Sequence, residues 1–264
     1  MSKLRAFERA LHAPAIAAET VLARLLSKTS RAPRFCGVYN SRKEALDAVP
    51  RGRLAGYDHA EIAQVSLPQM SRRRGADYPV MYWLSQLLKE PRPVVDVGGH
   101  MGTKYLAFRD VLDVSAVDWT VVDLPQIIGA AKDLQRDGAL PAALRFQSDY
   151  DDLPEGAIVV ASGLFQYFDG NFADFLAQFT NKPKHIVVNK VATTADTSFF
   201  SLEKIGNSRV PYHIRNIAEW KAVISTTGYE IADEWTIPEL SHRIATHPRI
   251  SPSVSRGMYL KLSN

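Results

Sequence analysis

The chain has 264 residues, of which 46% are hydrophobic and 23% charged, and this is the composition of an ordinary globular protein. It excludes wholesale disorder, a collagen-like repeat and a disulfide scaffold, and the single cysteine, Cys36, favours a reducing compartment such as the cytoplasm. The formal net charge of +4 is uneven, because residues 1–53 hold eleven basic and four acidic side chains and the remainder is slightly acidic. The main body therefore lacks the basic excess of a nucleic-acid-binding protein, and we expect no nucleic-acid partner.

Residues 1–34 are predicted to form a basic helical arm. Two stretches place apolar side chains at helical spacing, namely Leu4, Phe7 and Leu11, and then Val21, Leu22, Leu25 and Leu26. Neither stretch approaches the roughly 18 to 20 apolar residues of a membrane-spanning helix. Two interpretations stay open: the arm could lie at the inner membrane surface, or its apolar stripe could pack on the protein body or on a second subunit of a homodimer. The modest width of the stripe favours packing.

Residues 35–92 are predicted to form helices and loops that act as a lid. Ser41 and Glu44 have the spacing of a helix-capping box, and an apolar helix is expected over residues 80–88. Between them runs a basic stretch, residues 72–74, with three consecutive arginines. This stretch could bind an anionic substrate such as a phosphorylated sugar, but a solvated surface is the safer interpretation.

From residue 93 to residue 264 the chain alternates between predicted strands and helices. The five successive strands are expected over residues 94–97, 119–123, 144–147, 157–161 and 185–189. A helix over residues 218–227 then precedes two final strands, over residues 229–235 and 257–262. This alternation predicts an α/β domain with a parallel, doubly wound sheet that binds its ligand at the carboxyl ends of the strands.

Three glycines, Gly98, Gly99 and Gly102, follow the first strand of this domain. They allow a tight turn and a close approach of the backbone to a ligand, with a helix N-terminus behind it. Their spacing does not fit the Gly-x-Gly-x-x-Gly pattern of NAD-binding proteins. Asp96, at the end of the strand, would oppose a pyrophosphate but suits a ligand with a cationic ammonium group, such as S-adenosylmethionine.

Acidic residues also follow the next two strands. Asp123 ends the second strand, where its carboxylate could accept hydrogen bonds from both ribose hydroxyls. Asp149 follows the third strand, where it could accept a hydrogen bond from an adenine amino group, and Leu124 and Tyr150 could flank the ring. Because the carboxyl ends of parallel strands meet at one edge of the sheet, we expect these side chains to surround one ligand.

Residues 95–102 resemble motif I of the class I S-adenosylmethionine-dependent methyltransferases, Asp-x-Gly-x-Gly-x-Gly, with His100 in place of the middle glycine. The chain also resembles a bacterial family of methyltransferases of about this length. That family shares three motifs, seen here as Phe35-Cys36-Gly37-Val38-Tyr39, Phe165-Gln166-Tyr167, and Gly228-Tyr229 with Glu234-Trp235. The resemblance covers roughly residues 35–262 and implies a Rossmann-like fold with a seven-stranded, mostly parallel sheet and a C-terminal antiparallel pair.

The resemblance implies S-adenosylmethionine as the cofactor and a small-molecule or saccharide acceptor, with O-methylation favoured. The residues expected to bind the cofactor are Asp96, Gly98, Gly99, His100, Gly102, Asp123, Leu124, Asp149, Tyr150 and Ser162. No metal is expected, because Ser162 and its neighbours at the end of the fourth strand lack the carboxylate of the magnesium-dependent O-methyltransferases.

Two residues are candidates for a general base. His213 is expected in a loop before the helix that follows the fifth strand, and Tyr167 lies just beyond the fourth strand. His242 and His247 precede the final strand and could line the acceptor pocket. Two other functions stay open: an NAD-dependent oxidoreductase, and a catalytically silent binding subunit that keeps the cofactor fold.

Overall fold

The computed structural model describes residues 16–55 and 67–263. In this part of the chain eleven strands form one mixed sheet. The strands are β1 (Phe35–Tyr39), β2 (Leu54–Ala55), β3 (Val94–Val97), β4 (Trp119–Val122), β5 (Leu144–Gln147), β6 (Ile158–Ser162), β7 (His185–Thr194), β8 (Phe199–Ile205), β9 (Ser208–Asn216), β10 (Tyr229–Ile237) and β11 (Val254–Leu262).

Helices cover both faces of this sheet. They are α1 (residues 16–26), α2 (Arg42–Asp47), α3 (Leu67–Met70), α4 (Tyr78–Leu87), α5 (Thr103–Phe108), α6 (Pro125–Arg136), α7 (Phe172–Leu176) and α8 (Ile217–Thr226), with short 3-10 turns at Gly75–Asp77 and Pro238–Leu240. The predicted cap of α2 is confirmed, because the Ser41 hydroxyl accepts a hydrogen bond from the Glu44 N–H at 3.1 Å.

Seven strands lie side by side in the order β5-β4-β3-β6-β7-β11-β10. The strands β3 to β7 are parallel to one another, and β11 lies antiparallel between β7 and β10. The predicted parallel sheet and the antiparallel pair beside the fifth strand are therefore confirmed. The carboxyl ends of β3, β4 and β6 consequently meet at one edge, where the glycine loop and Asp123 were expected.

The expected count of seven strands is wrong, because β1, β2, β8 and β9 extend the sheet. β7 runs beyond the end of β6 and there pairs with β9, which forms a hairpin with β8, and β1 pairs with β8. The segment 35–92 was expected to hold helices and loops, and no strand was predicted over residues 190–217. Their strands form against partners that are distant in the sequence, so local patterns do not reveal them.

The two sides of the sheet have separate apolar cores. Alternation along β3 directs Val94 to the face covered by α4, α5 and α6, and Val95 and Val97 to the face covered by α7 and α8. Because both faces are covered, the central strands are apolar along their whole length, as is usual in parallel sheets. Asp96 is an exception to this rule, since it is buried in the same strand.

The helix α1 confirms the helical spacing predicted for the second half of the arm, whereas the predicted helix over residues 1–11 lies outside the described residues. Arg24 donates a hydrogen bond to the Thr246 carbonyl at 3.1 Å, which ties α1 to the protein body. Val21, Leu22 and Leu25 are exposed. No helix in residues 16–55 and 67–263 is long and apolar enough to cross a membrane.

Trp235 of β10 lies across Gly257 of β11, and the two residues are directly paired. A Cβ atom on Gly257 would collide with the indole ring. The indole N–H reaches beyond β11 to β7, where it donates a hydrogen bond to Oδ1 of Asn189 at 3.0 Å. The absence of a side chain at residue 257 therefore lets one tryptophan connect three strands.

We expect Gly257→Ala to lower the free energy of unfolding by about 1–3 kcal/mol, because the added methyl group displaces the indole ring. The measurement is urea denaturation of the full chain. Gly129→Ala is the matched control: Gly129 lies in α6 with open space around its Cα, so a helix-favouring alanine should stabilise the protein by about 0.5–1 kcal/mol. Equal effects of the two substitutions would contradict the role given to Gly257.

Candidate functional site

A cavity of about 650 Å³ opens at the carboxyl ends of the parallel strands, the edge at which α/β sheets bind ligands. Its volume is in the range of small-molecule and cofactor sites. Six residues singled out in the sequence line it: Gly98, His100, Asp123, Leu124, Ser162 and Tyr167. Part of the opposite wall comes from the segment 35–92: Arg42, Leu46, Ala55, Met70, Arg72 and Arg74. The cavity thus lies between the strand ends and that segment.

The loop from β3 to α5 depends on its glycines. Gly98 and Gly102 have φ angles of 70° and 76°, in the left-handed region that glycine enters without steric cost. A Cβ atom on Gly99 would lie 2.5 Å from Cγ of Asp96, so a glycine at this position lets the loop close over the aspartate. His100 has a φ of 56°, a conformation that favours glycine, and the motif has glycine at this position.

Asp123 follows β4 and borders the cavity beside the glycine loop. Its Oδ2 accepts a hydrogen bond from the His100 N–H at 2.7 Å, and its Oδ1 accepts one from the Leu124 N–H at 2.7 Å. Burial raises the pKa of Asp123, while these two hydrogen bonds oppose the shift. Because a carboxylate has about four acceptor sites, Asp123 can hold the loop and still accept hydrogen bonds from ligand hydroxyls.

Asp96 lies beneath the glycine loop, with 1% of its surface exposed. Burial raises the pKa of Asp96 to about 7, the negative charge of Asp123 acts in the same direction, and the Lys104 ammonium opposes it. The carboxyl group is therefore only partly ionised at neutral pH. A cationic group bound above the loop would favour its ionised form.

A buried ion-pair cluster, which the sequence did not reveal, forms another part of the cavity wall. Oδ1 of Asp77 lies 2.6 Å from Nζ of Lys104 and 3.3 Å from Nζ of Lys190. Burial alone would raise the pKa of Asp77, but the two ammonium groups outweigh it and the pKa is lowered. Burial and the charge of Lys104 lower the pKa of Lys190. One carboxylate thus balances two ammonium groups inside the cavity.

The sequence positions of the two lysines could have drawn attention to them. Lys104 lies in the first turn of the helix that follows the glycine loop, and Lys190 directly follows the part of β7 that was predicted as the fifth strand. Asp77 carries no comparable signal. Its pairing with residues 27 and 113 positions away depends on the folded chain.

Tyr167 lines the cavity and takes part in a second polar network. Its hydroxyl donates a hydrogen bond to Oε2 of Glu203 at 2.7 Å. Oε1 of Glu203 accepts hydrogen bonds from Nε and Nη2 of Arg34 at 3.0 and 2.8 Å. Glu203 is 3% exposed and belongs to β8, one of the strands that the sequence did not predict. The network holds the tyrosine hydroxyl in a fixed orientation.

Ser162 lines the cavity at the end of β6. Its hydroxyl accepts a hydrogen bond from Nδ2 of Asn189 at 3.3 Å, and the same amide donates to the Ala76 carbonyl at 2.9 Å. Among residues 16–55 and 67–263, no group of three or more His, Cys, Asp or Glu side chains is placed to hold a metal ion.

Two residues that were predicted to surround an adenine ring do not border this cavity in the described structure. Asp149 is exposed, and its Oδ1 accepts a hydrogen bond from the Asp151 N–H at 3.3 Å. Tyr150 packs edge-on against Phe179 and borders a second cavity of about 520 Å³. Burial, with a further contribution from the Asp123 charge, raises the pKa of Tyr150. The adenine-binding roles of Asp149 and Tyr150 stay predictions.

His213 lies within β9, so the expectation that it occupies a loop is wrong. Its ring stacks on Phe200 of β8, with 4.1 Å between the ring centroids. Burial and the positive charge of Arg215 lower the pKa of His213 to about 3. In the described structure His213, His242 and His247 are not part of the cavity lining. A general-base role for His213 stays a prediction, and its burial and low pKa disfavour it.

No family model matches the sequence, and no curated protein matches it. Several solved structures of methyltransferases are similar to it in part. The mitomycin 7-O-methyltransferase MmcR matches 78% of the chain, with 13% identity and a TM-score of 0.48. An O-methyltransferase family protein from Burkholderia thailandensis also matches 78%, with 13% identity and a TM-score of 0.47. The glycopeptide N-methyltransferase MtfA, complexed with S-adenosyl-L-homocysteine, matches 78%, with 11% identity and a TM-score of 0.48.

The matches cover 59% of the MmcR chain, 61% of the Burkholderia protein and 98% of the MtfA chain. The chain thus spans less than two thirds of the first two proteins. At these identities, and with TM-scores below 0.5, function has to be argued from the cavity.

We expect Asp77→Asn to lower the free energy of unfolding by about 3–5 kcal/mol, because it leaves two buried ammonium groups without a counter-charge. The measurement is chemical denaturation at neutral pH. Asp47→Asn is the matched control, since Asp47 pairs with Lys43 on the surface, and it should leave stability close to that of the unmodified protein. Equally small effects for both substitutions would contradict the importance of the cluster.

We expect the pH dependence of stability to change in Asp96→Asn. Folded Asp96 keeps its proton up to a pKa of about 7, whereas an unfolded aspartate loses it near about 4. The unmodified protein should therefore lose stability relative to the variant as the pH rises from 5 to 8, by about 2.5 kcal/mol. Denaturation curves of both proteins across this range provide the measurement. If the difference in free energy of unfolding between the two proteins did not vary with pH, this would contradict the raised pKa of Asp96.

Proposed function

We propose that the protein binds S-adenosylmethionine and transfers its methyl group to a small-molecule or saccharide acceptor, with oxygen as the favoured acceptor atom. The observation that carries the proposal is that the glycine loop after β3 and the Asp123 carboxylate after β4 border one cavity and are hydrogen-bonded to each other. A loop of backbone amides beside a carboxylate suits a ligand that presents both anionic and hydroxyl groups.

The residues present fit this cofactor at several points. Asp123 has acceptor sites left for ribose hydroxyls, and Leu124, whose side chain is partly exposed in the cavity, offers an apolar surface to a purine ring. Gly98 brings bare backbone to the cavity wall. Asp96 places a partly ionised carboxyl beneath the loop, where it favours a ligand that carries an ammonium group. When bound, S-adenosylmethionine supplies a methyl group that its sulfonium sulfur activates.

The residues around the acceptor would position it, and Tyr167 could receive its proton. The Tyr167 hydroxyl donates a hydrogen bond to Glu203. Tyr167 can therefore take a proton from an acceptor hydroxyl while it passes its own proton to the Glu203 carboxylate. This route serves an acceptor that is poorly ionised in water. An acceptor that is already ionised needs only correct positioning.

The oxidoreductase alternative is less compatible with the cavity. Asp96 lies directly under the loop that would hold a pyrophosphate. A Cβ atom on Gly99 of this loop would lie 2.5 Å from Cγ of Asp96. A carboxylate at this position opposes a dinucleotide phosphate but tolerates a cationic ligand.

We expect S-adenosylhomocysteine to bind the full chain in isothermal titration calorimetry, and Asp123→Ala to weaken that binding by about tenfold or more, as loss of a charged hydrogen-bond acceptor does. Asp137→Ala is the matched control, since Asp137 is exposed at the end of α6 and should leave the affinity unchanged. Circular dichroism establishes that both variants are folded.

Failure of S-adenosylhomocysteine to bind, with NADH binding in its place, would overturn the proposal and favour the oxidoreductase. Unchanged affinity in Asp123→Ala would remove the ribose assignment. Cofactor binding without methyl transfer to any of a broad panel of hydroxylated acceptors would favour the silent binding subunit.

A further inference from the structure

The described part of the cavity wall carries an excess of positive charge. Among the described residues that line it, the basic ones are Arg42, Arg72, Arg74, Lys104 and Lys190, and the acidic ones are Asp77 and Asp123. Asp77 is already engaged by two lysines. In the described part of the chain, no carboxylate forms an ion pair with any of the three arginines. The cavity therefore has positive charge available for a ligand.

Four of the five basic residues come from a different part of the fold than the glycine loop and Asp123, whereas Lys104 lies in the helix α5 that directly follows the loop. Three of them belong to the segment 35–92 and Lys190 to β7, whereas Gly98 and Asp123 follow β3 and β4. This separation assigns the excess positive charge to the part of the cavity that would receive the acceptor.

The arginine run has an alternating arrangement. All three arginines are exposed, but Arg72 and Arg74 line the cavity, whereas Arg73 between them is not part of the described lining. The position of two of the three arginines at the cavity distinguishes this run from a merely solvated surface.

The lysine pair adds a reason for an anionic ligand. Lys190 and Lys104 share one oxygen of Asp77, so the buried cluster holds one more positive than negative charge. A bound anion would supply the missing counter-charge. Arginine forks and lysine ammonium groups together are suited to phosphate, which accepts several hydrogen bonds and carries up to two charges.

We propose that the methyl acceptor carries a phosphate group, which Arg72, Arg74 and Lys190 bind while the rest of the acceptor reaches the cofactor. This inference rests on the proposed function and adds the substrate class to it. The phosphate contacts orient the acceptor without taking part in the transfer.

The experiment titrates inorganic phosphate, and in a second arm glucose 6-phosphate, into the full chain that has been saturated with S-adenosylhomocysteine. We expect saturable binding of both probes, which weakens as the salt concentration rises. The double variant Arg72→Gln/Arg74→Gln should weaken the binding of both by about tenfold or more.

Arg73→Gln is the matched control, since it removes one charge from the same run outside the cavity, and it should change the affinity little. Thermal denaturation establishes that the variants are folded.

Four outcomes would overturn the inference. The first is no phosphate binding to a protein that binds S-adenosylhomocysteine, which would leave the methyltransferase proposal intact. The second is competition between phosphate and S-adenosylhomocysteine, which would mean that the basic residues hold the cofactor carboxylate. The third is a loss of affinity in Arg73→Gln as large as that in the double variant, or binding of acetate as tight as that of phosphate. The fourth is failure of S-adenosylhomocysteine itself to bind, which would remove the proposed function and the acceptor assignment together.

Discussion

The candidate site depends on the buried contact of Asp77 with Lys104 and Lys190. Each of the three residues belongs to a different part of the fold: the segment before the main domain, the helix after the glycine loop, and the strand β7. A buried carboxylate that is shared by two ammonium groups fixes the separation of these parts, because moving any one of them would leave a charge uncompensated in a region of low polarity. The cavity between the segment 35–92 and the strand ends therefore has defined walls.

The neighbouring residue, Asn189, strengthens the same junction with neutral hydrogen bonds. Its amide reaches the Ala76 carbonyl and the Ser162 hydroxyl, and its carbonyl oxygen accepts the Trp235 N–H. Asn189 is fully buried, so these partners satisfy a polar group that would otherwise be costly to bury. Because Trp235 lies across β11 to reach it, the C-terminal antiparallel pair contributes to the position of the segment that covers the cavity.

The sequence predicted the parts of this fold that depend on local patterns. The central strands are short apolar runs between helices, and the glycine loop and Asp123 follow two of them, so their meeting at one sheet edge could be anticipated. The strands β1, β8 and β9 could not, because each is stabilised by pairing with a partner elsewhere in the chain. His213 was misplaced for this reason. The pairing of Asp77 with Lys190 was equally hidden, since it joins residues 113 positions apart.

His100 shows how closely the loop and Asp123 depend on each other. Its backbone has a φ of 56°, and a non-glycine residue in that region costs about 1–3 kcal/mol. The His100 N–H donates to the Asp123 carboxylate at 2.7 Å, and a hydrogen bond to a charged group contributes about 1.5–3 kcal/mol. The two quantities are comparable, so the hydrogen bond can offset the strain of the histidine. The shape of the glycine loop is therefore coupled to the same carboxylate that borders the ligand cavity.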